Sequence, residues 1–288
     1  MTGTTRNAQQ SEAVSSFIGI FDSGVGGLSV WREIARQFPH EDTLYLADQA
    51  HVPYGLRRLT TVRELSESIT RFLLSQGAKV IVVACNTASA AALHYLRHTF
   101  PQIPFVGMEP AVKPASERTR TGIIGVIATP ATFQGELFAS LVEQYAGDVR
   151  VLTQVCPGLV EAVESGALDT PETKALLREC LTPLIEGGAD QLVLGCTHYP
   201  FLRTAIEQVV GVNMAVIDPA PAVARQTGRV LARLGLKTNP GRAGHHVFYT
   251  SGDLTAFTTV AEWLFPSYGN SAKVRAVRWR EGRLETEE

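Results

Sequence analysis

Two cysteines stand in matching surroundings. Ala84-Cys85-Asn86-Thr87 follows the apolar run Val80 to Val83, and Gly195-Cys196-Thr197-His198 follows Gln191 to Leu194. Each run reads as a strand buried on both faces. A helical pattern follows each, through Ala88, Ala91, Ala92 and Tyr95 in one case and Phe201, Leu202, Ala205, Ile206 and Val209 in the other. In an open α/β sheet the carboxyl end of a strand is where ligands bind. A thiol of pKa about 8.5 is only a few per cent ionised near neutrality, so the thiolate costs about 2 kcal/mol unless neighbours lower it. Both cysteines precede helix starts, which are expected to lower it. Two thiols facing each other across a cleft could invert a carbon centre, one taking its proton while the other protonates the opposite face.

Other uses of these residues compete with that reading. Cys85, Cys196, His198 and Asp22 could hold zinc, although they lack a compact knuckle spacing, and the two thiols could form a disulfide. Asp22-Ser23-Gly24-Val25-Gly26-Gly27 follows a strand and precedes a helix, as a dinucleotide loop does. However, Ser29 stands in place of the third glycine, and Asp22 would set a negative charge against a pyrophosphate. A carboxylate and hydroxyl there suit an ammonium group or a nearby thiol. His198, two residues from Cys196, could shift the protonation of that thiol, and Glu164 could orient it. Thr129 and Thr132 read as helix caps. Pro53-Tyr54-Gly55 is a turn whose backbone N–H groups and phenol could hold a carboxylate.

The elements that must position these residues repeat. The first unit reads as strands at 17–21, 43–47, 80–84 and 104–109, separated by helical stripes. The pattern restarts at Gly122 to Thr129, with further strands at 149–153, 191–195 and 216–217. Offsets between equivalent landmarks nearly agree: 106 from Ile18 to Ile124, 111 from Cys85 to Cys196 and 109 from Glu109 to Asp218. The expected fold is α/β: two similar open parallel-sheet domains related by pseudo-twofold symmetry, with the active site in the cleft between them. The expected boundaries are a flexible leader at 1–16, a discontinuous first domain of 17–109 plus 218–288, and a second domain of 110–217. The tail adds a helix from Val223 to Leu234, a strand at 246–250, a helix around 257–264 and an edge strand through Val274 and Val277.

A length of 288 residues suits about two domains. A net charge of −2 gives no general attraction to nucleic acid or to an anionic membrane. The polar start and strand-length apolar runs provide neither a signal peptide nor a membrane span, so a cytoplasmic protein is expected. There Cys85, Cys156, Cys180 and Cys196 are expected free, with Cys156 and Cys180 in packing roles.

Taken together, Phe21 to Gly27, Asp48 with Pro53-Tyr54-Gly55, Ala84 to Thr87, Glu109-Pro110-Ala111, Cys156-Pro157 with Glu164, and Gly195 to Pro200 resemble the glutamate racemases of the aspartate/glutamate racemase family. The resemblance runs from about residue 17 to residue 220. It implies cofactor-independent two-base proton transfer interconverting L- and D-glutamate, with D-glutamate feeding peptidoglycan synthesis. It assigns Cys85 to the D- and Cys196 to the L-enantiomer, Asp22 to assist Cys85, and His198 with Glu164 to assist Cys196. It places Asp22-Ser23, Asn86-Thr87 and Thr197-His198 on the amino and α-carboxylate groups, and Tyr54 and Gly55 on the side-chain carboxylate. It implies no metal and a homodimer. Gln134 and Leu137-Phe138 depart from the usual serine and tyrosine of the family.

Overall fold

The computed structural model describes residues 16–265 and 272–287; the proposed leader lies outside them except for Ser16. Eleven strands are described: β1 (Phe17–Asp22), β2 (Thr43–Ala47), β3 (Ala78–Val83), β4 (Phe105–Gly107), β5 (Ile123–Ala128), β6 (Arg150–Val155), β7 (Gln191–Gly195), β8 (Ala215–Ile217), β9 (His246–Thr250), β10 (Ala272–Arg280) and β11 (Arg283–Thr286). They form two sheets. The first has the order β11-β10-β9-β2-β1-β3-β4 and the second β6-β5-β7-β8. All pairings are parallel except β10 with β11.

The order β2-β1-β3-β4 in one sheet is the order β6-β5-β7-β8 in the other, which is the structural form of the sequence repeat. In each unit the first strand lies between the second and the third. Asp22 at the end of β1 lies beside Ala47, and Phe21 lies beside Val83; Ala128 at the end of β5 lies between Val155 and Gly195. The two cysteines therefore leave their sheets at equivalent corners. β1 and β7 are buried along their whole length, and β3 and β5 all but at Lys79 and Ile123, as their apolar runs require.

Parallel neighbours need crossover helices, and these are set by local signals. Thr170 caps the helix Pro171–Glu186 by accepting from the Thr173 N–H at 3.2 Å, and Asp253 caps Leu254–Leu264 through the Ala256 N–H at 2.7 Å. Pro39 follows the helix Leu28–Gln37 and prevents its continuation.

The chain changes sheets twice. After β4 it enters the helix Val112–Arg118, whose Val112 and Ala115 join the apolar cluster of the second sheet. After β8 it enters Ala220–Arg233, which packs on Leu28–Gln37 beside the first sheet. Gly228 on that helix faces the Phe38 ring so closely that a Cβ would collide with it. Strands β9 to β11 extend the first sheet beyond β2. The largest apolar cluster crosses between the sheets, joining Ile18, Val25 and Leu28 to Ile127, Leu159 and Leu192.

Two expectations need correction. The strand at 272–280 is not the edge, because β11 pairs with it in an antiparallel hairpin that turns at Glu281 and Gly282. Cys156 and Cys180 are not free: they form a disulfide with Cα atoms 5.4 Å apart. Cys156 directly follows β6, and the helix Pro171–Glu186 carries Cys180 back against it, a proximity that a sequence separation of 24 hides from sequence reasoning.

Candidate active site

The corners bearing Cys85 and Cys196 face a single narrow cleft with free space of about 10 Å³, lined by Ser23, Pro53, Tyr54, Gly55, Cys85, Asn86, Thr87, Thr129, Val160, Cys196, Thr197 and His198. Larger grooves on the surface contain no thiol pair. Both cysteines are free and buried.

Cys85 is the N-cap residue of the helix Asn86–Thr99, and its sulfur accepts from the Ala88 N–H at 3.4 Å. The helix start does not lower its pKa, contrary to expectation. Burial pushes the thiol well up, and the Asp22 charge adds to that, outweighing the Ala88 N–H. Cys85 is therefore a protonated thiol near neutrality. Cys196 differs locally, since a 3-10 turn at Tyr199–Leu202 follows it and the α-helix begins only at Arg203.

His198 lies beside Cys196, with Nδ1 3.7 Å from the sulfur, and its Nε2 is 2.6 Å from Glu164 Oε1. Burial alone would lower the pKa of the imidazole. Hydrogen bonds to Cys196 and Glu164 reverse this and raise it well above its ordinary value, so the ring is held as a cation. Both ring nitrogens are thereby engaged, which leaves neither for a metal. Glu164 ends the helix Leu159–Glu164 and also accepts the Val25 N–H at 2.8 Å and the Gln49 amide at 2.9 Å, both from the first unit. Burial would raise its carboxyl, but the His198 hydrogen bond and charge, with Gln49 and Val25, hold it below the usual range. Gly24 is required here, because a Cβ would overlap the Glu164 carboxylate.

Asp22 is fully buried. It accepts from the Ser23 N–H at 2.7 Å, from the Gly27 N–H and from the Thr197 hydroxyl at 3.1 Å. Burial raises its pKa, opposed chiefly by the His198 charge and by the Cys85 hydrogen bond. The carboxylate thus occupies the backbone nest that a dinucleotide phosphate would need. The third loop position is also filled, since the Ser29 hydroxyl donates to the carbonyls of Gly26 at 2.8 Å and Thr197 at 3.2 Å.

Tyr54 lines the cavity, but its phenol donates to Asp48 at 2.6 Å and is therefore not free for a ligand. Burial and the Asp48 charge push that phenol well up. The backbone remains available: first-turn N–H groups of a 3-10 turn, here Tyr54 and Gly55, have no partner within the turn. Gly55 abuts the second unit, where an added Cβ would stand 2.5 Å from Thr129 Cβ. Thr129 does cap its helix, accepting the Thr132 N–H at 3.4 Å, and it also meets Thr87 across the cleft at 2.8 Å. Asn86 is 3% exposed, and both polar atoms of its amide are without a hydrogen-bond partner.

The cavity therefore brings together Ser23, Tyr54, Gly55, Cys85, Asn86, Thr87, Cys196, Thr197 and His198, with Asp22 and Glu164 directly behind. Sequence reasoning missed Val160 and Gln49. Val160 is one apolar residue among many on a short helix, and Gln49 is marked only by following Asp48.

A twinned parallel α/β unit with a buried thiol at the same strand end in each half is an arrangement that comparison with known proteins places directly. The model of the Asp/Glu/Hydantoin racemase family matches residues 18–227, and the chain belongs to that family. A glutamate racemase of Roseiflexus sp. (strain RS-1) is 51% identical over 242 residues, which cover 84% of this chain and 86% of the relative. Among solved structures, a glutamate racemase isoform of Bacillus anthracis superposes with a TM-score of 0.82 at 33% identity, covering 93% of this chain and 98% of that one. A glutamate racemase of Francisella tularensis, solved in complex with D-glutamate, superposes with a TM-score of 0.80 at 26% identity and covers 93% and 98%.

Proposed function

We propose that the chain interconverts L- and D-glutamate by a cofactor-independent transfer of the α-proton between two thiols, and so supplies D-glutamate for peptidoglycan in the cytoplasm. In the L to D direction the Cys196 thiolate takes the α-proton. The Cys85 thiol then delivers its own proton to the opposite face of the carbanion. The C–H bond on one face is exchanged for a C–H bond on the other, and the two cysteines end with their protonation reversed. The reverse reaction begins from that state.

The observation that carries this reading is the Asn86 amide, buried without partners between two free thiols. An unpaired amide in such a place is costly unless a polar ligand satisfies it. A zwitterionic amino acid offers the α-carboxylate to the Asn86 N–H and to the hydroxyls of Thr87 and Thr197. Its ammonium suits Asp22, Ser23 and the Asn86 carbonyl. The side-chain carboxylate suits the Tyr54 and Gly55 N–H groups. Asp22 assists Cys85, and His198 with Glu164 assists Cys196. The cationic imidazole beside one sulfur and the neutral thiol at the other match the starting state for L-glutamate. Carbanion charge then forms in a narrow cleft of buried side chains, and exclusion of water around the bound substrate makes fixed dipoles strongest there. Glutamate, rather than aspartate, is supported by the relatives reported above.

The test is incubation with L-glutamate in deuterated water without added cofactor, following optical rotation and α-deuterium. Rotation is expected to decay to zero with deuterium uptake, and Cys85→Ala and Cys196→Ala are each expected to abolish racemisation. Activity on aspartate alone would sink the substrate assignment, and racemisation that survives loss of both thiols would sink the mechanism.

A further inference from the structure

We propose that Gln49 is a positioning residue that holds Glu164 as a carboxylate toward His198, and thereby maintains Cys196 as the thiolate base. This rests on the two-thiol reading above. Gln49 follows β2 in the first unit, whereas Glu164, His198 and Cys196 all belong to the second.

The orientation of the Gln49 amide is fixed by its partners. The Thr250 hydroxyl at the end of β9 donates to Gln49 Oε1 at 2.9 Å, and the oxygen of that hydroxyl accepts the Gly252 N–H at 3.0 Å. With Oε1 so occupied, Nε2 is the atom turned to Glu164 Oε2, at 2.9 Å. The other carboxylate oxygen takes the Val25 N–H and His198. One polar chain therefore runs from the Gly252 backbone through Thr250, Gln49, Glu164 and His198 to the Cys196 sulfur, each member set by the one before it.

Two of the three donors to Glu164 come from the first unit, so this carboxylate is fully satisfied only when the units are closed together. A buried carboxylate that loses a donor binds protons more readily. A protonated Glu164 no longer sustains the imidazolium, and the thiolate loses its counterion. Gln49 is the one side-chain donor to Glu164 that can be removed without touching a residue lining the cavity. The other ionisable groups facing the chain are Asp22 and Cys85 from the first unit, and Tyr199 and Glu161 from the second. All of these stay in place in the variants except Cys85, which is Ser in both the reference and the variants of the thiolate titration.

The readout is the Cys196 thiolate, followed by absorbance near 240 nm from pH 5 to 9 in a Cys85→Ser background. Because Cys156 and Cys180 are bridged, Cys196 is then the sole thiol. Gln49→Ala is expected to move the thiolate titration up by about half to one pH unit. In the Cys85-containing enzyme it is expected to move the acid limb of kcat in the L direction the same way. Gln49→Glu adds a second acid that donates to Glu164 when protonated and repels it when ionised, so its defect should shrink as pH falls. Thr250→Val leaves Gln49 present but unoriented and should give a smaller shift in the same direction; it also serves if Gln49→Ala fails to fold. An unmoved thiolate titration in folded Cys85→Ser proteins carrying Gln49→Ala or Thr250→Val would overturn the proposal. Absence of racemisation in the wild-type enzyme would instead overturn the reading on which it rests.

Discussion

The carboxylate of Glu164 meets the imidazole of His198 at 2.6 Å inside the fold, and the opposite ring nitrogen lies 3.7 Å from the sulfur of Cys196. One thiol is thereby given a charged partner of its own, while the other is buried against a carboxylate. Two halves with the same strand order thus hold their thiols in opposite electrostatic surroundings.

Replacing Glu164 by Gln removes the charge and keeps the shape. His198 should titrate lower, and kcat/KM should fall by roughly 10- to 100-fold. Enantiomers have equal free energies, so kcat/KM must fall by the same factor in both directions. Asymmetry can show only in the separate kcat and KM values, and polarimetric kinetics run from each enantiomer measure it.

The same pair makes stability depend on pH. The pKa of His198 in the fold lies above its ordinary 6.5, so its contribution is fully present below that pH and is lost as pH rises through the raised value. The thermal stability of the wild type should therefore fall as pH rises across that interval, and His198→Gln should flatten the dependence there.

Cys85 should alkylate slowly at neutral pH. Burial is the main cause, but the Asp22 charge also raises its pKa, so Asp22→Asn should speed modification of Cys85 a few-fold near pH 8. Iodoacetamide labelling located by peptide mass spectrometry is the measurement; an unchanged or slower rate would contradict the assigned role of the Asp22 charge.

Gly55→Ala should force the units apart, since the new methyl would stand 2.5 Å from Thr129 Cβ and 2.7 Å from its Cγ2. The expected cost is about 1–3 kcal/mol, with a raised KM. Thr129→Ala removes the Cγ2 and hydroxyl in its path, so the double variant should recover part of the loss in urea unfolding.

Asp48→Asn tests the support beneath the Tyr54 turn. Asp48 accepts from the Tyr54 phenol at 2.6 Å, the Ser251 hydroxyl at 2.7 Å and the Trp279 indole at 2.7 Å, and pairs with His51 at 3.0 Å. An amide offers one acceptor oxygen and turns an N–H toward the remaining donors. Each donor left unpaired should cost about 1–3 kcal/mol, seen in chemical unfolding, and KM should rise more than kcat falls.

Local chemistry was enough to place most of the elements. Unbroken apolar runs mark β1, β3, β5 and β7 because strands buried on both faces have no polar side, and near-constant offsets between them expose the repeat. The thiols were legible for the same reason, as polar residues that end such runs. The hairpin strand β11 was not: its short, charged sequence Arg283-Leu284-Glu285-Thr286 buries only Leu284, so it carries little periodic signal.

The tertiary structure decided what depends on distance through space. Bridged Cys156 and Cys180, Gln49 on Glu164, and Thr87 against Thr129 join residues far apart in the chain, and neither composition nor spacing encodes such meetings. It also decided charge. From sequence both cysteines stand before helices and look alike, but a pKa follows from desolvation and from every nearby group. Those groups are brought there by the fold, Asp22 to Cys85 from β1 and Glu164 to His198 from the helix Leu159–Glu164. The residue types and their periodicity determined that two thiols would end two equivalent strands; only the tertiary packing around each strand end, which buried Cys85 against Asp22 and brought Glu164 onto His198 beside Cys196, made one a buried acid and gave the other an imidazolium.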